Sequence, residues 1–214
     1  IFFLICLQGF IGWYMVSSGL TERTDVSHYR LSLHLTLAFV IFILLVWNYL
    51  KITINYKNNH LSQIPFYLPA FFLIFILLQI SIGALVSGLN AGEIYQSWPL
   101  MNQNYFPDDS NIKDLFGLNV FENPSLIQFI HRNLAYLIFL IFIIMLIIVF
   151  KNKNLFYLKK NIIILFAALL LQILLGILTI LSGAQIILAS LHQIGSIFLI
   201  TASLILVFKN SKIN

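Results

Sequence analysis

Of the 214 residues, 60% are hydrophobic and only 9% are charged, where a soluble domain carries about 25% charged residues. That balance excludes a water-soluble globular protein, and no nucleic-acid motif accompanies the formal charge of +5. The single cysteine, Cys6, excludes an intrachain disulfide and any CxxC redox or metal motif.

Apolar runs near the roughly 20 residues that cross a bilayer predict helices over 1–16, 31–50, 65–89, 125–150, 161–181 and 186–208. The expected fold class is therefore all-α, a polytopic transmembrane helix bundle. The first run is the shortest and opens on Ile1 without a methionine or a polar flank. The chain accordingly reads as a fragment that begins inside a helix. Glu22 and Asp25 fall in the first connection, and Glu93, Asp108, Asp109, Asp114 and Glu122 fall in the third. Lys51, Lys57, Lys151, Lys153, Lys159, Lys160, Lys209 and Lys212 fall in the second and fourth connections and the C-terminal tail, where no acid occurs. The positive-inside rule then puts those lysines, and both ends of the chain, in the cytoplasm. In a bacterium this is the inner membrane.

The chain repeats itself. Leu7-Gln8-x3-Gly12 leading to Ser18-Gly19 recurs as Leu171-Gln172-x3-Gly176 leading to Ser182-Gly183, and partly as Leu78-Gln79-x3-Gly83 leading to Ser87-Gly88. Each copy precedes a helix with a histidine near its outer start: His34, His192 and His131 respectively. Three such hairpins imply a fourth upstream, and hence eight helices in two pseudo-symmetric four-helix halves. The expected division is 1–50 for the remainder of the N-terminal half, 51–64 for a cytoplasmic connection, and 65–214 for the C-terminal half with its outer loop 90–124.

At about 1.5 Å per helical residue, all three histidines fall at a similar depth in the outer leaflet. Each is followed four residues later, on the same face, by a small residue: Ala38, Ala135 or Ser196. Imidazole is costly in hydrocarbon unless it is used, and three at one depth with clearance beside them suit a planar haem. A single membrane histidine also serves to bond across helices, and small residues also serve close helix packing. Zinc is disfavoured because neither cysteine nor carboxylate joins the set within the membrane. His28 and His60 read as solvated residues without a site role.

Arg132 is the charged residue well inside a span, and Arg30 lies at similar outer depth. Both are placed to meet haem propionates by bidentate contacts, with snorkelling to headgroups as the alternative. The connection over 90–124 is too long for a simple turn. Its Tyr95, Trp98, Leu100, Met101, Tyr105, Phe106, Leu115 and Phe116 are apolar enough to fold back over a haem site. On residues alone, three readings stay open: a haem-modifying oxidoreductase, a di-haem b-type membrane cytochrome for electron transfer or quinol oxidation, and a cofactor-free transporter using the histidines as a proton relay.

Several segments together resemble the haem A synthase family. They are Gly83-Ala84-Leu85-Val86-Ser87-Gly88-Leu89-Asn90-Ala91-Gly92, then Tyr95, Trp98-Pro99-Leu100-Met101, Glu122-Asn123 and Gln128-Phe129-x-His131-Arg132-x-x-Ala135-Tyr136. Flanking them are Gly12-Trp13-x-Met15-Val16-x-Ser18-Gly19-Leu20, Val26-Ser27-x-Tyr29-Arg30-Leu31-x-x-His34-Leu35, Leu175-Gly176-Ile177-x-Thr179 and Leu188-Ala189-x-x-His192-Gln193. The likeness covers nearly the whole chain and is to the branch without an outer-loop cysteine pair. Asn90 departs from it, standing where the family commonly has aspartate.

The resemblance implies that the chain corresponds to helices three to eight of eight. It implies that His131 and His192 are axial ligands of a cofactor haem b in the C-terminal half, the haem beside which Arg132 and Arg30 are placed by the reading above. His34 would face the iron of the substrate haem O, as the catalytic-side histidine whose partner histidine and essential glutamate lie upstream. The activity implied is oxidation of the methyl group of haem O to a formyl group, giving haem A for cytochrome oxidase assembly. It leaves room for contact with haem O synthase or oxidase assembly factors and for self-association, and it names no electron donor.

Overall fold

The computed structural model describes residues 1–19, 25–54, 63–65 and 67–211. Six α-helices follow in order: α1 (Phe2–Val16), α2 (His28–Thr53), α3 (Tyr67–Gly88), α4 (Pro124–Lys151), α5 (Lys159–Leu181) and α6 (Ile186–Asn210). Among the described residues five are long and apolar enough to cross a membrane, and α1 is a shorter apolar helix of 15 residues. The protein is an all-helical, multi-pass membrane protein.

Most helices run a few residues past their apolar runs. α2 starts at His28, before the apolar residues begin, because its first turn is built from interfacial His28, Tyr29 and Arg30. α4 starts where Asn123 caps it: the Asn123 side chain accepts from the backbone N–H of Ser125 (2.9 Å) and Leu126 (3.2 Å), with Pro124 in the first turn. The turn from α5 to α6 is tight because Gly183 (φ 68°) and Ala184 (φ 58°) both adopt left-handed backbone.

Helix contacts arrange α3, α4, α5 and α6 in a ring in which α3 touches α4 and α6, and α5 touches α4 and α6. Helices α4 and α6 therefore occupy opposite corners. α2 joins α1 to this group by packing on α3 and α6. Small residues permit the α2–α3 contact: a Cβ on Gly88 would lie 2.6 Å from His28 Cβ, and Ser32 Oγ donates to Ser81 O at 2.8 Å.

Burial is uneven along the bundle. Toward the lysine-bearing ends, Phe72, Phe142, Met145, Val149, Ile162 and Leu165 are sealed, with Phe142 stacked on Phe166 at 5.4 Å. α6 is buried at Leu199, Ile200, Leu204, Leu206 and Phe208. Toward the other end, α6 leaves Ile187, Leu191, Ile194 and Phe198 exposed, and α5 leaves Leu171, Leu174, Leu178 and Leu181 exposed. At the sealed end, Asn210 accepts from Ile64 N (2.9 Å) and donates to Ile64 O (2.9 Å), tying α6 to the chain ahead of α3. Lys57, His60, Lys212 and Glu22 lie outside the described residues.

Candidate functional site

His34, His131 and His192 are the seventh, eighth and seventh residues of α2, α4 and α6. All three helices start at the same end of the bundle, so at about 1.5 Å per residue the three rings share one depth. Each ring meets the preceding helix in the same way. The amide nitrogen of Gln8, Gln79 or Gln172 donates to the histidine's own carbonyl, at 3.1, 3.0 and 2.7 Å respectively. The same nitrogen approaches the ring: His34 at 3.2 and 3.3 Å, His131 Nε2 at 3.3 Å and His192 Nδ1 at 3.1 Å.

One turn further along each of those helices a glycine admits the ring edge. A Cβ on Gly12, Gly83 or Gly176 would stand 3.0, 3.1 or 3.0 Å from the Cε1 of His34, His131 or His192. The Gln-x3-Gly repeat in the sequence is thus a cradle for each imidazole. The spacing marked these residues as a repeat, but only their position across the hairpin reveals their partners.

The donor set suits a macrocycle-bound metal. Among the described residues no group of three or more His, Cys, Asp or Glu could hold a bare metal ion. An iron already held by a porphyrin asks only for one or two axial imidazoles. His131 is carried by α4 and His192 by α6, at opposite corners of the bundle. His131 Nδ1 and Arg132 Nε are both buried without a hydrogen-bond partner, which an anionic, metal-bearing ligand would satisfy. The loosely covered halves of α5 and α6, toward the α5–α6 turn, adjoin these groups.

Arg132 is held chiefly by backbone carbonyls of the loop between α3 and α4. Its Nη1 donates to Ser97 O (2.9 Å) and Leu100 O (3.3 Å), and its Nη2 to Tyr95 O (2.9 Å) and Gln128 Oε1 (3.3 Å). Gln128 adds donation to Ala91 O (3.0 Å) and Tyr95 O (3.2 Å). Arg30 instead donates to Tyr14 O (2.7 Å) and Ser17 Oγ (3.3 Å), with its guanidinium 3.6 Å from the centre of the Tyr14 ring. Of the loop aromatics, Tyr95 is only 2% exposed and Phe106 packs on Phe129 at 5.1 Å, whereas Trp98, Tyr105 and Phe116 are exposed.

Burial, and then its hydrogen bond to Asp108, pushes the Tyr95 phenol up to about 12. Burial alone would raise the Asp109 carboxyl, but bonds from Ser125 (2.6 Å) and Ser110 (2.9 Å) hold it below the usual carboxylate value. Asn90 sits in left-handed backbone at φ 51°, a conformation that Asn and Asp tolerate better than other non-glycine residues. The departure from aspartate there preserves the turn. His28 is not the solvated residue expected: it is half-buried, with Nε2 3.5 Å from Glu122.

The profile of the COX15-CtaA family, described as cytochrome oxidase assembly protein, matches residues 1–204. A heme A synthase of Pelagibacter ubique is 48% identical over 99% of this chain and 61% of its own length. Those of Wolbachia pipientis wMel and Rhizobium etli (strain ATCC 51251) are 41% and 40% identical over 92% and 89% of this chain, and 55% and 52% of their own. The chain thus spans between half and about three fifths of the length of these curated relatives. With the resemblance seen in the motifs borne out, the chain belongs to the COX15-CtaA family of cytochrome oxidase assembly proteins.

Proposed function

We propose that the protein is a haem A synthase that oxidises the methyl group of haem O to a formyl group, supplying haem A for cytochrome oxidase assembly. The observation that carries this is the threefold cradle, one imidazole per hairpin at one depth; relatives named heme A synthase support it.

In this reading His131 and His192 hold the iron of a cofactor haem b across the bundle. When bound, that haem supplies one-electron redox chemistry. His34, on the first hairpin, faces the substrate haem O and orients it. Arg132 Nε and Arg30 are the donors proposed for propionates, while the other nitrogens of Arg132 pin the loop that shields the site from water. The division into residues 1–50 on the substrate side and 65–214 on the cofactor side follows from this assignment. The proposed setting is a bacterial inner membrane, with both ends of this chain cytoplasmic and the histidines toward the outer face, supported by the lysine distribution.

In the full-length protein, His131→Ala or His192→Ala is expected to remove the low-spin b-type absorption spectrum. His34→Ala should keep much of that spectrum and abolish haem A production. Full retention of haem b in both of the first two variants, or normal haem A output in the third, would refute the assignment.

A further inference from the structure

We propose that Gln8, Gln79 and Gln172 are positioning residues that fix how His34, His131 and His192 are presented, each acting with the glycine one turn along its own helix. This rests on the reading above that the imidazoles meet haem iron.

An amide inside a membrane bundle is expensive to desolvate. In all three hairpins the amide oxygen is buried with no hydrogen-bond partner. A leucine would pack the same hairpin without leaving that oxygen unsatisfied, so packing alone does not account for three glutamines. What the three share is the other end of the amide. Donation to the histidine carbonyl decides which end of each side chain faces the second helix, and that same nitrogen lies 3.1 to 3.3 Å from a ring nitrogen.

The ring is therefore held at two points. The amide stands at a ring nitrogen, and the glycine Cα surface stands against Cε1, where a methyl group would fit only at 3.0 to 3.1 Å. Rotation about Cβ–Cγ would break the first contact or close the second. Gln172 is itself confined from behind, since a Cβ on Gly195 would stand 2.4 Å from its Oε1. The usual outer-shell partner of a metal-bound histidine accepts its free ring N–H, whereas the amide nitrogen here acts by its position beside the ring; loss of an outer-shell neighbour typically weakens metal binding about 10- to 100-fold.

The test uses the full-length protein purified with iron protoporphyrin IX bound. Gln79→Met and Gln172→Met, close in volume but without the amide, should keep a b-type haem that transfers to excess apomyoglobin about 10- to 100-fold faster. Their ferric low-spin EPR signals should shift or broaden, because the imidazole planes are no longer fixed. Gly83→Ala and Gly176→Ala remove no polar group but push the ring by a few tenths of an ångström, and should move the same signal. If the methionine variants fail to accumulate, the alanine variants decide. Parental release rates and EPR signals in the variants that fold would overturn the inference. His131→Ala and His192→Ala, measured alongside, separate the failures: loss of haem there with unchanged glutamine and glycine variants sinks only the positioning role, whereas retention of haem there sinks the underlying assignment.

Discussion

Replacing Arg132 by methionine removes the tie between α4 and the loop that joins α3 to α4 while leaving a side chain of similar length in the helix. Four hydrogen bonds are lost, three of them to the carbonyls of Tyr95, Ser97 and Leu100. Tyr95 O keeps Gln128 as a donor and Leu100 O keeps Ser97 Oγ at 2.9 Å, so Ser97 O and Gln128 Oε1 bear the main loss. Each unsatisfied acceptor costs about 1–3 kcal/mol, and a hydrogen bond to a charged group contributes about 1.5–3 kcal/mol. A local cost of about 3 kcal/mol is therefore expected. At 1.4 kcal/mol per tenfold, that raises the open population of the loop about 100-fold. The reporters are the amides of Met101 and Asn102, which donate to Asn104 O and Ser97 Oγ, both at 2.7 Å. Hydrogen–deuterium exchange at these two sites should accelerate by about that factor, with α5 unchanged. Unaltered protection at both amides would refute the claim that the guanidinium holds the loop.

Three further expectations concern stability. The Tyr95 phenol has its folded pKa raised to about 12 from 10.0 by burial and its bond to Asp108, so its contribution is complete below pH 10 and disappears as pH climbs through about 12; a difference titration at 295 nm between the parent and Tyr95→Phe should show the missing tyrosine ionising near the upper value, and one ionising near 10 would contradict it. Asn123→Ala removes a cap that accepts from two backbone N–H groups and should cost about 1 kcal/mol in thermal or denaturant melting in detergent, an unchanged melt being the contrary result. Phe142→Ala should cost only about 2 kcal/mol, from about 90 Å³ of cavity at about 24 cal/mol per Å³, since lipid is as apolar as the core and offers little transfer gain to lose; a loss above about 4 kcal/mol in the same melt would show that the transfer term survives.

The helices were legible because hydropathy in a membrane protein is set by solvent, but their ends were less so. His28 and Asn210 are helical without being apolar. The three histidines stood out through their repeated context. Their glutamines and glycines were visible only as a pattern, since the partner of Gln79 lies 52 residues away on another helix. Arg132 was legible as an unusual charge, yet its main partners are carbonyl groups, which every residue possesses and no composition can reveal. The His28–Glu122 approach likewise joins residues from different connections, for which the local sequence carries no cue.

The contrast between the two ends of α6 assigns different mechanical duties to one helix. From Leu199 onward it is wedged among neighbours, and Asn210 rivets it to the backbone at Ile64. Before Leu199 its apolar flank is bare. Such a helix behaves like the blade of a pair of tweezers, stiff at the joined end and compliant at the tip. Aliphatic exchanges near Ile200 or Leu206 should be punished by the fold, whereas those near Ile187 or Ile194 are tolerated by it.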